Sequence, residues 1–162
     1  MNNFPQGTVG RIIEVAIGEI ETVEEPDNLV KYNNMNGQPW CGWFLNWCAK
    51  QAGVKVPNVV STILGEAAFK KTNALFNEAQ VGDFAFFNFS GGKSPEHVGL
   101  VVKLDPIKGH YTIDGNTSGS GSQANGGEVM LKQRPNKFIV SYGRPTYAAS
   151  NGALPSIPPT KK

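Results

Sequence analysis

No apolar run in this chain approaches the roughly 20 residues of a membrane-spanning helix, so a helical membrane anchor is excluded. Histidine and cysteine are equally scarce, at two each, which leaves only the bare minimum for a tetrahedral metal site; no metal and no cofactor is expected. The chain also lacks Gly-x-Ser-x-Gly, His-Glu-x-x-His and Cys-x-x-Cys, which removes serine-hydrolase, zinc-peptidase and dithiol-redox readings. Net charge is only +2 and no Lys/Arg cluster interleaves with aromatics, so a nucleic-acid partner is not expected. Residues Met1 to Gly7 carry no charged flank followed by an apolar block, and the protein is expected to be made in the cytoplasm without an export signal.

What is present is concentrated. Pro39-Trp40-Cys41-Gly42-Trp43-Phe44-Leu45-Asn46-Trp47-Cys48 holds all 3 tryptophans and both cysteines. Pro39 suits the entry to a helix and Gly53 its end, so one helix runs from Cys41 to Gly53. On that helix the two cysteines lie about 10 Å apart at about 1.5 Å per residue, beyond the ~7 Å limit for a disulfide. Both thiols are therefore expected free.

The 162 residues suffice for one domain with its own core. Val9, Ile12, Ile13, Ala16, Ile17 and Ile20 predict a first amphipathic helix over Thr8–Thr22, capped by Thr8. A third helix is expected around Leu64–Ala74. From Val81 the period changes to that of strands, predicted at Phe84–Phe89, His97–Lys103, His110–Asp114, Gly127–Arg134 and Phe138–Tyr147. Helices first and antiparallel strands afterwards mean an α+β fold, with N-terminal helices packed on a sheet of about five or six strands. Gly115–Gly127 reads as a flexible loop, and 148–162 as a Pro-rich linker or tail after a domain spanning 1–147. An acidic front (Glu14, Glu19, Glu21, Glu24, Glu25, Asp27) and a basic end (Lys132, Arg134, Lys137, Arg144, Lys161, Lys162) read as solvated surface, the basic end suited to approaching an anionic polymer.

Chemistry is left to one cysteine and one histidine. Cys48, mid-helix, fits a small buried hydrophobe. Cys41 sits where unpaired backbone N–H groups and the positive helix end favour thiolate. An ordinary thiol is only a few per cent ionised at neutral pH, so full ionisation is worth at most about 2 kcal/mol, whereas one oxyanion donor contributes about 3 to 4 kcal/mol. His97 opens its strand, with Gly99 two residues on leaving room on the same face for a helix end. His110 reads as a surface turn residue. Asp114 and Asn116 flank Gly115 on a neighbouring strand; either can orient the His97 ring, the other serving the reaction centre.

Pro39-Trp40-Cys41-Gly42-Trp43-Phe44, Gly82-Asp83, His97-Val98-Gly99-Leu100-Val101 and Ile113-Asp114-Gly115-Asn116-Thr117, in that order, resemble the CHAP family of cysteine, histidine-dependent amidohydrolases/peptidases. The resemblance implies a papain-like fold and hydrolysis of bacterial peptidoglycan, as in phage endolysins. It assigns Cys41 as nucleophile, His97 as base, Asp114 as third member where Glu is frequent in the family, and Asn116 as a fourth polar residue. Trp40 and Trp43, beside the nucleophile, are the expected substrate contacts. Calcium binding ahead of the cysteine is not carried over, because Asn33, Asn34 and Asn36 stand where carboxylates are needed. The enzyme is expected to act at the cell wall after release, as a monomer without membrane insertion. A non-catalytic wall-binding module, or an amidase for small amides, is the alternative.

Overall fold

The computed structural model describes residues 4–117 and 127–160. Helices α1 (Val9–Gly18), α2 (Cys41–Ala52) and α3 (Thr62–Lys71) precede strands β1 (Leu75–Phe76), β2 (Phe84–Phe87), β3 (His97–Lys103), β4 (Tyr111–Thr117), β5 (Glu128–Gln133) and β6 (Ile139–Gly143). The strands form one antiparallel sheet in the order β1-β6-β2-β3-β4-β5, so the fold is α+β.

Local chemistry sets the element ends. Thr8 caps α1 by accepting from the Arg11 N–H. The helix stops at Gly18, short of the predicted Thr22, because the chain turns at Glu21 (φ 79) to run along the outer edge of β5. There Glu21 N–H donates to Val129 O at 2.9 Å and Val129 N–H to Thr22 O at 2.9 Å, which covers an edge that would otherwise be open to pairing. α2 ends as expected at Gly53, left-handed at φ 71, its N–H returning to Ala49 O and Lys50 O. β2 stops at Phe87 rather than Phe89, since the Asn88 side chain accepts from the N–H groups of Ser90 and Gly92 and closes a turn. β4 starts later and runs further than predicted, β6 is shorter, and the two-residue β1 was too brief to carry a periodic signal.

The sheet is covered on both faces. Phe84, Phe86, Val98, Leu100 and Ile113 point toward the helices and meet Ile12, Phe44, Leu45 and Phe69. Ala85, Phe87, Val101 and Tyr142 point the other way, against Ala79, Phe138 and Ile139. His97 pairs with Phe87 across the ladder and so lies on this second face.

Several charges expected in solvent are structural. Arg144 grips both oxygens of the buried Asp83 at 2.9 Å, and Glu24 is only 6% exposed, accepting from the Gly127 N–H at 2.8 Å. Residues 148–160 lack regular structure but stay against the domain: Ala148 N–H donates to Gly7 O at 2.8 Å and Ile157 rests on the core. Of the glycine-rich stretch expected to form a loop, 118–126 lie outside the described residues, as do Lys161 and Lys162; Gly115 and Asn116 belong to β4.

Candidate active site

The start of α2 is wedged into the fold by glycines. A Cβ on Gly42 would fall 2.0 Å from the Val59 carbonyl oxygen, and one on Gly115 within 2.8 Å of Phe44 Cβ and the Trp40 ring. Bare backbone at both points lets the helix start lodge between Val59 and β4. Trp40 occupies the cap position, and no side chain among the described residues caps this helix start. The unpaired N–H groups and the positive helix end are therefore available to Cys41.

The Cys41 thiol meets the His97 imidazole where β3 begins, hydrogen-bonded to it and to the N–H groups of Val98 and Gly42. Burial alone would push the thiol up. The charge and hydrogen bond of His97, together with the two N–H groups, outweigh burial and hold it below its ordinary value. Cys48 shows the contrast: buried beside Glu19 with no such donors, its thiol is pushed well up. Both cysteines are free.

His97 is fully buried, and its Nε2 lies 2.6 Å from Asp114 Oδ2, leaving Nδ1 for Cys41. Burial disfavours the imidazolium, but the Cys41 charge and the Asp114 hydrogen bond overcome it and push His97 up to about 9. Asp114 is fully buried as well; the Arg134 charge and the His97 bond outweigh burial and hold its carboxyl well below the usual carboxylate range. The room beside Gly99 is taken by this carboxylate and not, as expected, by the helix end: a Gly99 Cβ would sit 2.3 Å from Asp114 Oδ1. Of the two candidates for orienting the ring, Asp114 holds it. Asn116, at φ 55 within an irregularity of the β4–β5 ladder, is fully buried, and neither side-chain polar atom has a hydrogen-bond partner among the described residues.

Comparison with protein families matches the CHAP domain to residues 33–116, just over half of the chain. The chain belongs to the CHAP family. CHAP domains are cysteine hydrolases of the peptidase and amidase type, associated with the cell wall, and Cys41, His97, Asp114 and Asn116 all fall inside the matched span. Among solved structures, a Staphylococcus aureus subsp. aureus Mu50 protein described as similar to lipoprotein, NLP/P60 family, aligns with TM-score 0.46 and 18% identity, over 89% of this chain and 44% of that one. The chain thus spans less than half the length of that protein. Comparison with curated proteins gives no match.

Three readings of this CHAP domain need correction. Trp40, expected at the substrate, is fully buried, its Nε1 donating to Glu24 Oε1 at 3.3 Å and its ring resting on Tyr32; it anchors α2 and cannot meet a ligand. Trp43 is only half-buried, with Nε1 unpartnered among the described residues. His110 is no surface residue: it is 9% exposed, accepts through Nδ1 from the Asp105 N–H at 2.9 Å, and its own N–H donates to Asn136 Oδ1 at 2.8 Å. Arg134, counted with the solvated basic end, instead reaches Asp114 Oδ2 at 2.5 Å with its side chain 14% exposed. Its one signal in the sequence was position, since Met130, Lys132 and Arg134 alternate onto the face that Asp114 shares.

Proposed function

We propose that this CHAP domain is a peptidoglycan hydrolase that cleaves an amide bond of the cell wall through a cysteine acyl-enzyme. What carries the reading is the buried relay: a thiol held low at a helix start, hydrogen-bonded to an imidazole whose other nitrogen meets Asp114 at 2.6 Å. In the first step Cys41 Sγ attacks the amide carbonyl carbon while the Cys41 N–H and the helix start face the developing oxyanion. The C–N bond breaks, the His97 proton passes to the leaving amine, and a thioester remains. Water then gives a proton to His97 and its OH to the acyl carbon, the C–S bond breaks, and a carboxylic acid leaves as the thiolate–imidazolium pair is restored. Asp114 keeps the ring aligned and its imidazolium favourable, Asn116 supplies a further polar group, and Trp43 is the aromatic that substrate contacts.

The polymer is bacterial peptidoglycan, and the setting is that of a phage endolysin acting on the wall after release. The support for substrate and setting is the motif pattern of the family alone, so the decisive measurement is direct. Purified peptidoglycan incubated with the protein and analysed by mass spectrometry should yield new amine and carboxyl ends at one bond type, either a peptide cross-link or the bond from muramic acid to the stem peptide. The Cys41→Ala protein should yield none. Small amides cleaved while peptidoglycan stays intact would overturn the substrate assignment, and iodoacetamide labelling Cys41 no faster than Cys48 near neutral pH would overturn the enzyme reading.

A further inference from the structure

We infer that Arg134 is a positioning residue for the relay, locking the Asp114 carboxylate in the rotation that serves His97. The inference rests on the hydrolase reading above, and Arg134 lies beyond the span matched to the CHAP family. Asp114 Oδ2 takes two donors at once, His97 Nε2 at 2.6 Å and Arg134 Nη1 at 2.5 Å, while Oδ1 lies over Gly99 with no hydrogen-bond partner among the described residues. Without the Arg134 bond, a short aspartate is freer to swing about its Cβ–Cγ axis. The second donor on the same oxygen removes that freedom, and its charge offsets the cost of burying the carboxylate.

The guanidinium is itself held on two sides. It lies 5.1 Å from the Phe87 ring centre and 5.5 Å from that of Phe89, and these same rings flank His97 at 5.6 and 6.0 Å. Arginine and imidazole therefore share one aromatic clamp, on which a planar guanidinium can stack while it bonds the carboxylate, as a point-charge ammonium cannot. The Arg134 main chain is fixed too: a Cβ on Gly109 would fall 1.9 Å from the Arg134 carbonyl oxygen, and the neighbouring Gln133 and Asn136 side chains bond Asp105 and Gly109. The ionisable groups facing Asp114 and His97 are Cys41 from α2, and Lys132 and Arg134 from the β5 segment.

Arg134→Met and Arg134→Lys decide the matter, each assayed by the pH dependence of iodoacetamide alkylation of Cys41 and by peptidoglycan hydrolysis, with folding checked by near-UV circular dichroism. Losing the cation raises the pH at which Asp114 takes up its proton, and with Asp114 neutral the imidazolium that holds the Cys41 thiol low loses its partner. In Arg134→Met the acid limb of the alkylation profile should therefore move up by about one pH unit or more, and hydrolysis at neutral pH should fall about tenfold or more. Arg134→Lys should keep most of the limb but lose about threefold in rate, because it cannot stack and bond at once. A folded Met variant with an unmoved limb and wild-type rate would overturn the inference. If the Met variant does not fold, a Lys variant with wild-type limb and rate does the same. Should wild-type Cys41 itself fail to label selectively, the hydrolase reading falls instead, so the two failures are told apart.

Discussion

Asp114→Asn removes one charge from the relay and almost nothing else. Asparagine has the same shape, and its side-chain oxygen can take the Oδ2 position, accepting from His97 Nε2 and Arg134 Nη1 while its amide lies over Gly99. What changes is the strength of the bond to the imidazolium. His97 is pushed up to about 9 from an ordinary value of about 6.5, which corresponds to about 3 kcal/mol in favour of the charged ring, with the Cys41 charge the larger contributor and Asp114 the next. A hydrogen bond to a charged partner contributes about 1.5 to 3 kcal/mol against about 1 for a neutral one. The substitution should thus withdraw about 1 to 2 kcal/mol from the imidazolium, a loss of roughly 5- to 30-fold in kcat/KM on peptidoglycan. The alkaline limb of the pH-rate profile, set by His97 losing its proton, should move down toward neutrality. Initial rates of peptidoglycan clearing from pH 5 to 10 measure both. A folded Asp114→Asn protein with wild-type kcat/KM and an alkaline limb still near 9 would refute the claim that Asp114 acts on the ring through its charge.

Gly99→Ala should lower the clearing rate by about tenfold or more with less than about 2 kcal/mol lost in urea unfolding, because the new methyl lands 2.3 Å from Asp114 Oδ1 and displaces the carboxylate more than the strand. Trp40→Phe should do the reverse, costing about 1 to 3 kcal/mol of stability through a lost Glu24 bond and a core void while KM stays within about twofold; a large rise in KM would restore Trp40 to the substrate. Stability should also respond to acid in a definite direction. The Asp114 carboxyl is held below its ordinary value, so its contribution is present above about pH 4 and is lost as pH falls toward its folded value. The gap in Tm between the wild type and Asp114→Asn should accordingly narrow from pH 6 to pH 3, and a gap constant over that range would contradict the pairing.

Much of this is legible in the sequence, and the reasons are physical. The α2 boundaries rest on Pro39 and Gly53, and the β3 boundaries on an uninterrupted β-favouring run, so local chemistry alone defines both. Cys41 and Cys48 separate on their positions in one helix, but their opposite thiol shifts come mainly from what meets each, His97 at Cys41 and burial with Glu19 at Cys48. What was not legible depends on contacts distant in sequence. Glu24 reads as surface because its partners, Trp40 and Gly127, come from two other segments. Trp40 reads as a ligand contact because adjacency to Cys41 along the chain says nothing of Gly115, whose bare backbone draws the indole inward. Arg134 reads as a solvated cation because its carboxylate partner lies on a different strand.

The sheet also divides the chemistry between its two faces. Cys41 arrives on α2 from the helical face, whereas His97, Asp114 and Arg134 belong to the opposite one, and they meet only where β3 begins. His97 and Asp114 have no exposed surface, while Cys41 keeps 6%. Substrate therefore meets the sulfur first, and it need not displace His97 or Asp114 behind it. Glycines at 42, 99 and 115 make this possible: each gives up a side chain where backbone, carboxylate or indole has to come closer than any Cβ would allow. In a chain with 19 glycines, turns account for only part of the number; at these positions the absence of a side chain is what brings a thiol on one face within reach of an imidazole on the other.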